Sequence, residues 1–163
     1  MQLNPLSIVG LRVLVVEDEP LIAMLVTDYL RDLGCACIGP YARLSEALQA
    51  AKTAPVDAAI LNLVLQGQHA YAVADVLAKR DIPFVFATGM PHGGIDGAWS
   101  DRPFMTKPYT QDDVRTLLLQ LFDQKQATDG APKATERPTT LMSPPPIPPD
   151  SASSSTDKDT SRR

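Results

Sequence analysis

Hydrophobic positions along the chain fall into two kinds of run, short continuous ones and longer ones with helical spacing. Continuous aliphatic or aromatic runs are typical of strands that are covered on both faces. They predict five strands, at residues 12–16, 35–38, 57–63, 84–88 and 104–106. Helical spacing predicts helices that begin at Pro20, near residues 44 and 70, and after Thr110. The spacing in the first of these groups Leu25 with Val26 and Leu30.

Strands that alternate with helices indicate a parallel sheet with right-handed crossovers. At this length we predict the α/β class, as a flavodoxin-like (βα)5 doubly wound sandwich with a parallel five-stranded sheet of order 2-1-3-4-5. Residues 89–100 contain four glycines, so any helix between the fourth and fifth strands should be short and loose. In such sheets, functional sites lie at the carboxyl ends of the strands, where the strand order reverses.

The composition of the chain changes near residue 125. Residues 125–163 contain no aromatic residue, seven of the fifteen prolines, and twelve serines and threonines. Such a segment cannot bury enough apolar surface to offset its ordering entropy. We therefore predict a flexible N-terminus over residues 1–10, one folded domain over residues 11–124, and a disordered Pro/Ser/Thr-rich tail over residues 125–163. The tail is either inert or a docking motif for a partner.

Charge and hydropathy narrow the class of partner. Residues 11–124 carry nine basic and fourteen acidic residues, a balance of −5, and an acidic domain without a basic stripe argues against direct binding of nucleic acid. No apolar run approaches the ~20 residues of a membrane helix, and residues 1–10 do not resemble a signal peptide. We expect a cytoplasmic protein without membrane association, as a monomer or weak dimer. Cys35 and Cys37 are expected to be buried hydrophobic residues rather than metal ligands.

Polar residues stand at the predicted carboxyl ends of four strands. They are Glu17-Asp18-Glu19 after the first strand, Asn62 on the third, Thr88 on the fourth and Lys107-Pro108 after the fifth. Each group is commonly structural when it occurs alone, but the predicted fold brings all four strand ends together. Acids, an amide, a hydroxyl and an ammonium group at one edge predict a small polar site, with a hard cation and an anion as natural occupants.

These segments resemble the receiver domains of two-component response regulators. The matching segments are VLVVEDEP (13–20), DAAILN (57–62), FATG (86–89) and KP (107–108), and the resemblance covers about residues 11–124. The segment PFVFATG (83–89) further resembles a stand-alone subgroup with a Pro-Phe-x-Phe-Ala-Thr-Gly signature, in which the fourth helix is often weak or flexible.

The resemblance implies a role for each of the matching residues. Glu17 and Asp18 would hold Mg²⁺ directly or through water, together with position 62 and the backbone carbonyl of Val64.

The phosphoryl group would be held at the other side of the same site. Thr88 would donate a hydrogen bond to a phosphoryl oxygen, and Lys107 would pair with that group. The bond between Lys107 and Pro108 is commonly cis in the family. Phe104 occupies the position of a switch aromatic residue, which rotates inward when Thr88 moves toward phosphate.

Asn62 departs from the family pattern, because it stands where receivers carry their phosphate-accepting aspartate. An amide oxygen is a poor nucleophile, so Asn62 is not expected to accept a phosphoryl group. The lost negative charge should weaken Mg²⁺ binding and relieve repulsion between the acids. A register error is disfavoured, since no aspartate lies between Asp57 and Asp75. Asn62 is compatible with a natural receiver that works without phosphate and with a nearly isosteric engineered replacement.

Three hypotheses for function follow. The first is a single-domain response-regulator receiver in a phosphorelay, which binds a sensor histidine kinase or a downstream signalling protein, most plausibly through the fourth helix, fifth strand and fifth helix. The second is a phosphate-independent adaptor or decoy that occupies a kinase surface. The third is an enzyme, which we disfavour. The Glu17-Asp18-Glu19 triplet lacks the aspartate spacing of haloacid-dehalogenase-like phosphatases and would repel the phosphate of a flavin.

Overall fold

A computed structural model describes residues 5–90 and 94–129 of the chain. The strands are β1 (Arg12–Val16), β2 (Ala36–Tyr41), β3 (Ala58–Asn62), β4 (Val64–Leu65), β5 (Gln68–His69), β6 (Phe84–Thr88) and β7 (Phe104–Thr106). The α-helices are α1 (Pro20–Asp32), α2 (Leu44–Thr53), α3 (Tyr71–Lys79) and α4 (Gln111–Asp129). Single 3-10 turns occur at Pro5–Ile8 and Gly97–Trp99. No helix in these two ranges is long and apolar enough to cross a membrane.

Five parallel strands form the main sheet, in the order β2-β1-β3-β6-β7. Numbered among themselves these strands run 2-1-3-4-5, so the predicted flavodoxin-like fold is confirmed. The order reverses between β1 and β3, and this reversal opens a crevice at their carboxyl ends. Register brings the strand ends level, because Asn62 pairs with Ala87 and Thr88 pairs with Thr106.

The sheet separates two hydrophobic layers. Successive residues of a strand face opposite sides of a sheet, so Val13 and Val15 of β1 pack with α1 and α4, whereas Leu14 and Val16 pack with α2 and α3. The central strands are buried on both sides, and all five residues of β6 are buried. A sheet covered in this way holds the ends of its strands in fixed positions.

The chain between β6 and β7 crosses the sheet without an α-helix in its described part, as its glycines predict. Trp99 packs edge-on against Phe84, with ring centroids 5.3 Å apart. The guanidinium carbon of Arg102 lies 5.2 Å from the centroid of Phe84 and 5.3 Å from that of Trp99. These contacts replace the packing that a helix would supply.

The described structure continues beyond both predicted boundaries of the folded domain. Ile8 lies in the segment predicted to be flexible, but its side chain is only 1% exposed and packs in the layer of α1 and α4. Helix α4 continues to Asp129, five residues beyond the predicted boundary at residue 124. Residues 1–4 and 130–163, which include most of the predicted tail, lie outside the described residues.

A short hairpin follows β3 and was not predicted. Strands β4 and β5 pair antiparallel around Gln66 and Gly67, whose φ angles are +48° and +83°. Positive φ at both central residues is typical of a tight hairpin turn, which Asn-Gly or Asp-Gly usually signals. Gln-Gly is a weaker signal, and therefore the sequence predicted only a strand that ends at residue 63.

Candidate functional site

Four of the predicted site residues form one hydrogen-bonded cluster at the carboxyl edge of the sheet. Lys107 donates to Glu17, with 2.7 Å between Nζ and Oε2. The side-chain nitrogen of Asn62 lies 2.8 Å from Oδ1 of Asp18 and 3.2 Å from Oε1 of Glu17. Glu17, Asp18, Asn62 and Lys107 therefore meet as the sequence predicts.

The fold fixes each of these side chains by its place at a strand end. Glu17 is the first residue after β1, and the chain then turns into α1, which begins at Pro20. Asn62 is the last residue of β3, the neighbour of β1 in the sheet. Lys107 follows β7, and its backbone N–H donates to the carbonyl oxygen of Thr88 at 2.8 Å.

Every carboxylate oxygen of the cluster accepts at least one hydrogen bond from the protein. Oε1 of Glu17 accepts from the backbone N–H of Glu19 at 3.1 Å as well as from Asn62. Oδ2 of Asp18 accepts from the backbone N–H of Gln66 at 2.9 Å. The contribution of Gln66 depends on the unpredicted hairpin, so sequence reasoning missed it. No buried side-chain nitrogen or oxygen in the described residues is without a partner.

Electrostatics explains why the cluster is so completely hydrogen-bonded. The side chain of Glu17 is only 3% exposed and that of Lys107 15%. A buried carboxylate is tolerated only when a counter-charge and further donors surround it. Two carboxylates and one ammonium group leave a formal charge of −1 in the cluster. The neutral amide of Asn62 stabilises this remaining charge by donating to both acids.

The neighbouring acids determine which way the nitrogen and the oxygen of the Asn62 amide point. The nitrogen and oxygen of an asparagine have similar shapes, and their assignment follows from the hydrogen-bond network. Two carboxylate oxygens face the amide of Asn62, and carboxylates only accept hydrogen bonds, so the nitrogen must face them. Both of its N–H groups are directed at Glu17 and Asp18.

The residues at this edge, as they are placed, do not fit a magnesium ion. The N–H groups of Asn62 lie between the carboxylates of Glu17 and Asp18, and donor hydrogens repel a cation. Among the described residues, no three His, Cys, Asp or Glu side chains come together as a metal site would require. Magnesium is commonly held by one or two carboxylates and keeps several waters, but here the donor nitrogen of Asn62 takes the place between the two acids. The carbonyl of Val64 as a ligand stays a prediction.

Thr88 and Phe104 lie beside the cluster on adjacent strands. Thr88 is 3% exposed, and its hydroxyl oxygen accepts a hydrogen bond from the backbone N–H of Met90 at 3.1 Å. Phe104 is 39% exposed, so its ring has not turned into the protein. The hydroxyl oxygen of Thr88 is therefore bonded within its own loop, and Phe104 is partly open to solvent. Their roles in a switch stay a prediction.

Tyr109 is a further neighbour of the site that sequence reasoning missed. The peptide bond between Lys107 and Pro108 is cis, as the resemblance implies, and Tyr109 follows it. Burial raises the pKa of Tyr109, and the negative charge of Glu17 raises it further. Its spacing after Pro108 gave no signal of this electrostatic effect, because the distance to Glu17 depends on the path of the chain between β7 and α4.

An apolar stripe lies on the exposed face of α1, close to the cluster in sequence. Leu21, Met24 and Leu25 are 71%, 60% and 42% exposed. They are three and four residues apart, so they lie on one face of the helix. Helical spacing had grouped Leu25 with the inward-facing Val26 and Leu30, but the structure places it outward. The stripe is an unusual concentration of large apolar side chains for a surface helix.

No protein-family model matches this chain. The phyllosphere-induced regulator PhyR of Methylorubrum extorquens is 31% identical over 120 residues, which is 71% of this chain and 45% of that protein. The chain therefore spans less than half the length of this curated relative.

Solved structures resemble the chain over most of its described part. The solution structure of SdrG from Sphingomonas melonis Fr1 has a TM-score of 0.62 and 41% identity, over 69% of this chain and 96% of that one. The crystal structure of the response regulator PhyR from Brucella abortus has a TM-score of 0.65 and 28% identity, over 77% of this chain and 53% of that one.

Proposed function

Because this chain belongs to the response-regulator receiver domains, we propose that it is a receiver whose phosphoacceptor position is blocked by Asn62 and that it acts by binding other proteins. The observation that carries the proposal is the amide of Asn62 at the end of β3, 2.8 Å from Asp18 and 3.2 Å from Glu17. In this proposal the chain is a signalling module rather than an enzyme.

The chemistry of position 62 supports this proposal. Phosphoryl transfer to a side chain needs an oxygen nucleophile with an available lone pair and negative charge. The amide of Asn62 has no such oxygen, and its nitrogen lone pair is delocalised. Its two N–H groups are also engaged with acids that a phosphoryl group would have to approach. We therefore propose that no acyl phosphate forms at this position.

Lys107, Thr88 and Phe104 have structural roles in the proposed function. Lys107 neutralises Glu17 instead of a phosphoryl group, and the hydroxyl oxygen of Thr88 accepts from the N–H of Met90. Phe104 keeps its outward position, because nothing draws Thr88 away from Met90. Magnesium is not required, since no phosphoryl group is transferred.

The segment PFVFATG at residues 83–89 supports a place in the stand-alone subgroup that carries this signature. The described part of the chain between β6 and β7 contains only the 3-10 turn Gly97–Trp99, which agrees with a weak fourth helix. We propose this subgroup on the strength of both features together.

The proposed partner is a sensor histidine kinase or a downstream signalling protein in the cytoplasm. Support comes from Leu21, Met24 and Leu25, because exposed apolar stripes of this kind mark protein contacts. All three side chains of the stripe are exposed in this chain, in which Asn62 stands at the phosphoacceptor position. This favours, as a second candidate, an adaptor or decoy that binds a kinase equally well without phosphate.

A labelling experiment tests the blocked site. The full chain, Asn62→Asp and Asn4→Asp are each incubated with radiolabelled acetyl phosphate and Mg²⁺, and incorporated label is counted. Asn4 is the only other asparagine in the chain, which makes it a matched control. We expect label on Asn62→Asp alone. Label on the unmodified chain that disappears in Asn62→Ala would contradict the proposal, and a folded but unlabelled Asn62→Asp would contradict the site assignment.

A capture experiment separates the two candidates. Immobilised chain and immobilised Asn62→Asp are compared for capture of purified sensor histidine kinases encoded in the same genome. Equal capture favours the adaptor, whereas much weaker capture by the unmodified chain argues against it. Leu21→Glu should reduce capture if the α1 stripe is the contact, and Val9→Glu, at another exposed apolar position, serves as its control.

A further inference from the structure

The position of the Asn62 amide suggests more than the loss of a nucleophile. In a site of two adjacent acids, some positive group must lie between the carboxylates, because their mutual repulsion is costly. Here the nitrogen of Asn62 lies between them, within hydrogen-bond distance of one oxygen from each acid. The partial positive charge of its two N–H groups stands where a cation would otherwise be needed.

The remaining carboxylate oxygens are also occupied by donors of the protein itself. Lys107 binds the second oxygen of Glu17, and the N–H of Gln66 binds the second oxygen of Asp18. The N–H of Glu19 adds a further bond to Glu17. An ion at Oε1 of Glu17 would displace a hydrogen bond, and an ion at any of the other three oxygens would lie beside a donor group that repels it.

We propose that the side-chain amide of Asn62 takes the structural place of a divalent cation, so that the pocket of this receiver is complete without Mg²⁺ and excludes it. This inference rests on the proposed function and concerns how the same site is stabilised. In such a pocket the arrangement of the two acids depends only on the folded chain and not on a bound metal ion.

Asparagine and aspartate at position 62 would place different charges and hydrogen-bond donors in the pocket. With asparagine, two carboxylates face one ammonium group and one amide that donates twice. With aspartate, three carboxylates face the single ammonium group, and both amide donors are lost. The aspartate form therefore needs an external cation to offset its repulsion, and hard cations are bound chiefly by anionic oxygens. The asparagine form lacks both the repulsion and the third anionic ligand.

Rotation of the amide does not restore a metal site at low cost. Turning Asn62 by half a turn about its last side-chain bond would direct its oxygen at the oxygens of Glu17 and Asp18. That arrangement removes two hydrogen bonds to charged groups, which are stronger than those between neutral groups. Magnesium also gives up its water ligands reluctantly, so the ion has little free energy with which to drive this rotation.

A magnesium titration of the ¹⁵N-labelled full chain tests the inference. The backbone amides of Glu19 and Gln66 and the side-chain amide of Asn62 report on the acids directly, and the Asn62 signal is assigned by its loss in Asn62→Ala. Mg²⁺ is raised to about 20 mM, which covers weak carboxylate sites, at constant ionic strength. We expect these signals to stay in place in the unmodified chain and to shift with saturation in Asn62→Asp.

Thermal unfolding with and without Mg²⁺ provides a second measurement. The unmodified chain should unfold at the same temperature under both conditions, whereas Asn62→Asp should be less stable without Mg²⁺ and regain stability with it. Gln49→Glu adds one negative charge on the exposed side of α2 and serves as the matched control. It should behave like the unmodified chain, which excludes a general effect of net charge.

The outcomes separate this inference from the proposed function. Saturable shifts at Glu19 and Gln66 in the unmodified chain over this range of Mg²⁺ concentration would overturn the inference. If that chain still takes no label from acetyl phosphate, the proposed function stands. The titration of the unmodified chain decides the matter even if Asn62→Asp fails to fold.

Discussion

Replacement of Lys107 by methionine tests the electrostatic account of the site. Methionine keeps much of the apolar stem of lysine and removes only the ammonium group. Glu17 would then keep its bonds to Asn62 and to the N–H of Glu19, but Oε2 would lose its charged partner. Because the side chain of Glu17 is 3% exposed, water cannot readily replace that partner.

The expected loss of stability follows from this burial. Removing one member of a buried ion pair costs about 3–5 kcal/mol. The figure is reduced here, because the side chain of Lys107 is 15% exposed and Glu17 keeps two other donors. We therefore expect the free energy of unfolding to fall by about 2–4 kcal/mol.

An exposed ion pair in the same protein provides the control. Arg31 and Asp28 lie 3.0 Å apart on α1, with side chains that are 72% and 51% exposed. Exposed pairs of this kind contribute about 0.5 kcal/mol or less, so Arg31→Met should have little effect. The two variants remove the same charge at nearly the same ion-pair distance and differ mainly in burial.

Urea unfolding at neutral pH, followed by circular dichroism, measures both variants. With a denaturant slope of about 2 kcal/mol per molar, a loss of 3 kcal/mol lowers the midpoint by about 1.5 M. The double variant Lys107→Met with Glu17→Gln should recover most of this loss, because it removes the unpaired charge. The reasoning would be refuted if Lys107→Met and Arg31→Met had equal midpoints, or if the double variant were less stable than Lys107→Met alone.

Three further predictions concern other parts of the domain. Hydrogen bonds from Arg12 lower the pKa of Asp57, so their stabilisation is present above the unfolded pKa of about 3.9 and is lost as pH falls through the folded pKa. Asp57→Asn should therefore destabilise the protein at pH 7, and urea unfolding should show that this difference shrinks in acid. Burial raises the pKa of Tyr109, so tyrosinate absorbance should show a fraction that ionises only on alkaline unfolding and is missing in Tyr109→Phe. Trp99→Ala removes a ring that packs against Arg102, so the backbone amide of Arg102, which donates to the carbonyl of residue 99, should exchange its hydrogen for deuterium faster, as mass spectrometry of timed exchange would show.

The strands were the most predictable part of the fold. The bounds of β1, β6 and β7 agree with the sequence prediction to the residue, because each is a continuous apolar run with clear breaks at its ends. Pro83, which introduces β6, is one such break. Helix α1 was predicted from its spacing, but the outward position of Leu25 was not. A wide apolar stripe contains positions at its edge whose burial depends on what covers them.

Local spacing could not predict the arrangement within the site. The carboxyl ends of parallel strands meet at one edge of the sheet, and this brings together Glu17, Asp18, Asn62 and Lys107. The position at a strand end does not determine which atoms meet. The resemblance directs Lys107 at a phosphoryl group, whereas the structure pairs it with Glu17. The residue at position 62 is neutral, and the anionic oxygen that the ammonium group contacts belongs to Glu17. The bond from Gln66 depends on a turn whose sequence signal is weak.

Asn62 also affects the proposed output of the domain. In the proposed function, no phosphoryl oxygen accepts a hydrogen bond from the hydroxyl of Thr88, so Thr88 is not drawn from its place and keeps the bond from the N–H of Met90. Phe104 then has no space to enter, and the surface around β7 stays constant. A partner that reads this surface, or the stripe on α1, would meet one conformation at all times. The strength of the signal would then follow from the concentration of this protein and its affinity for the partner, because no phosphorylation step changes the surface that the partner contacts.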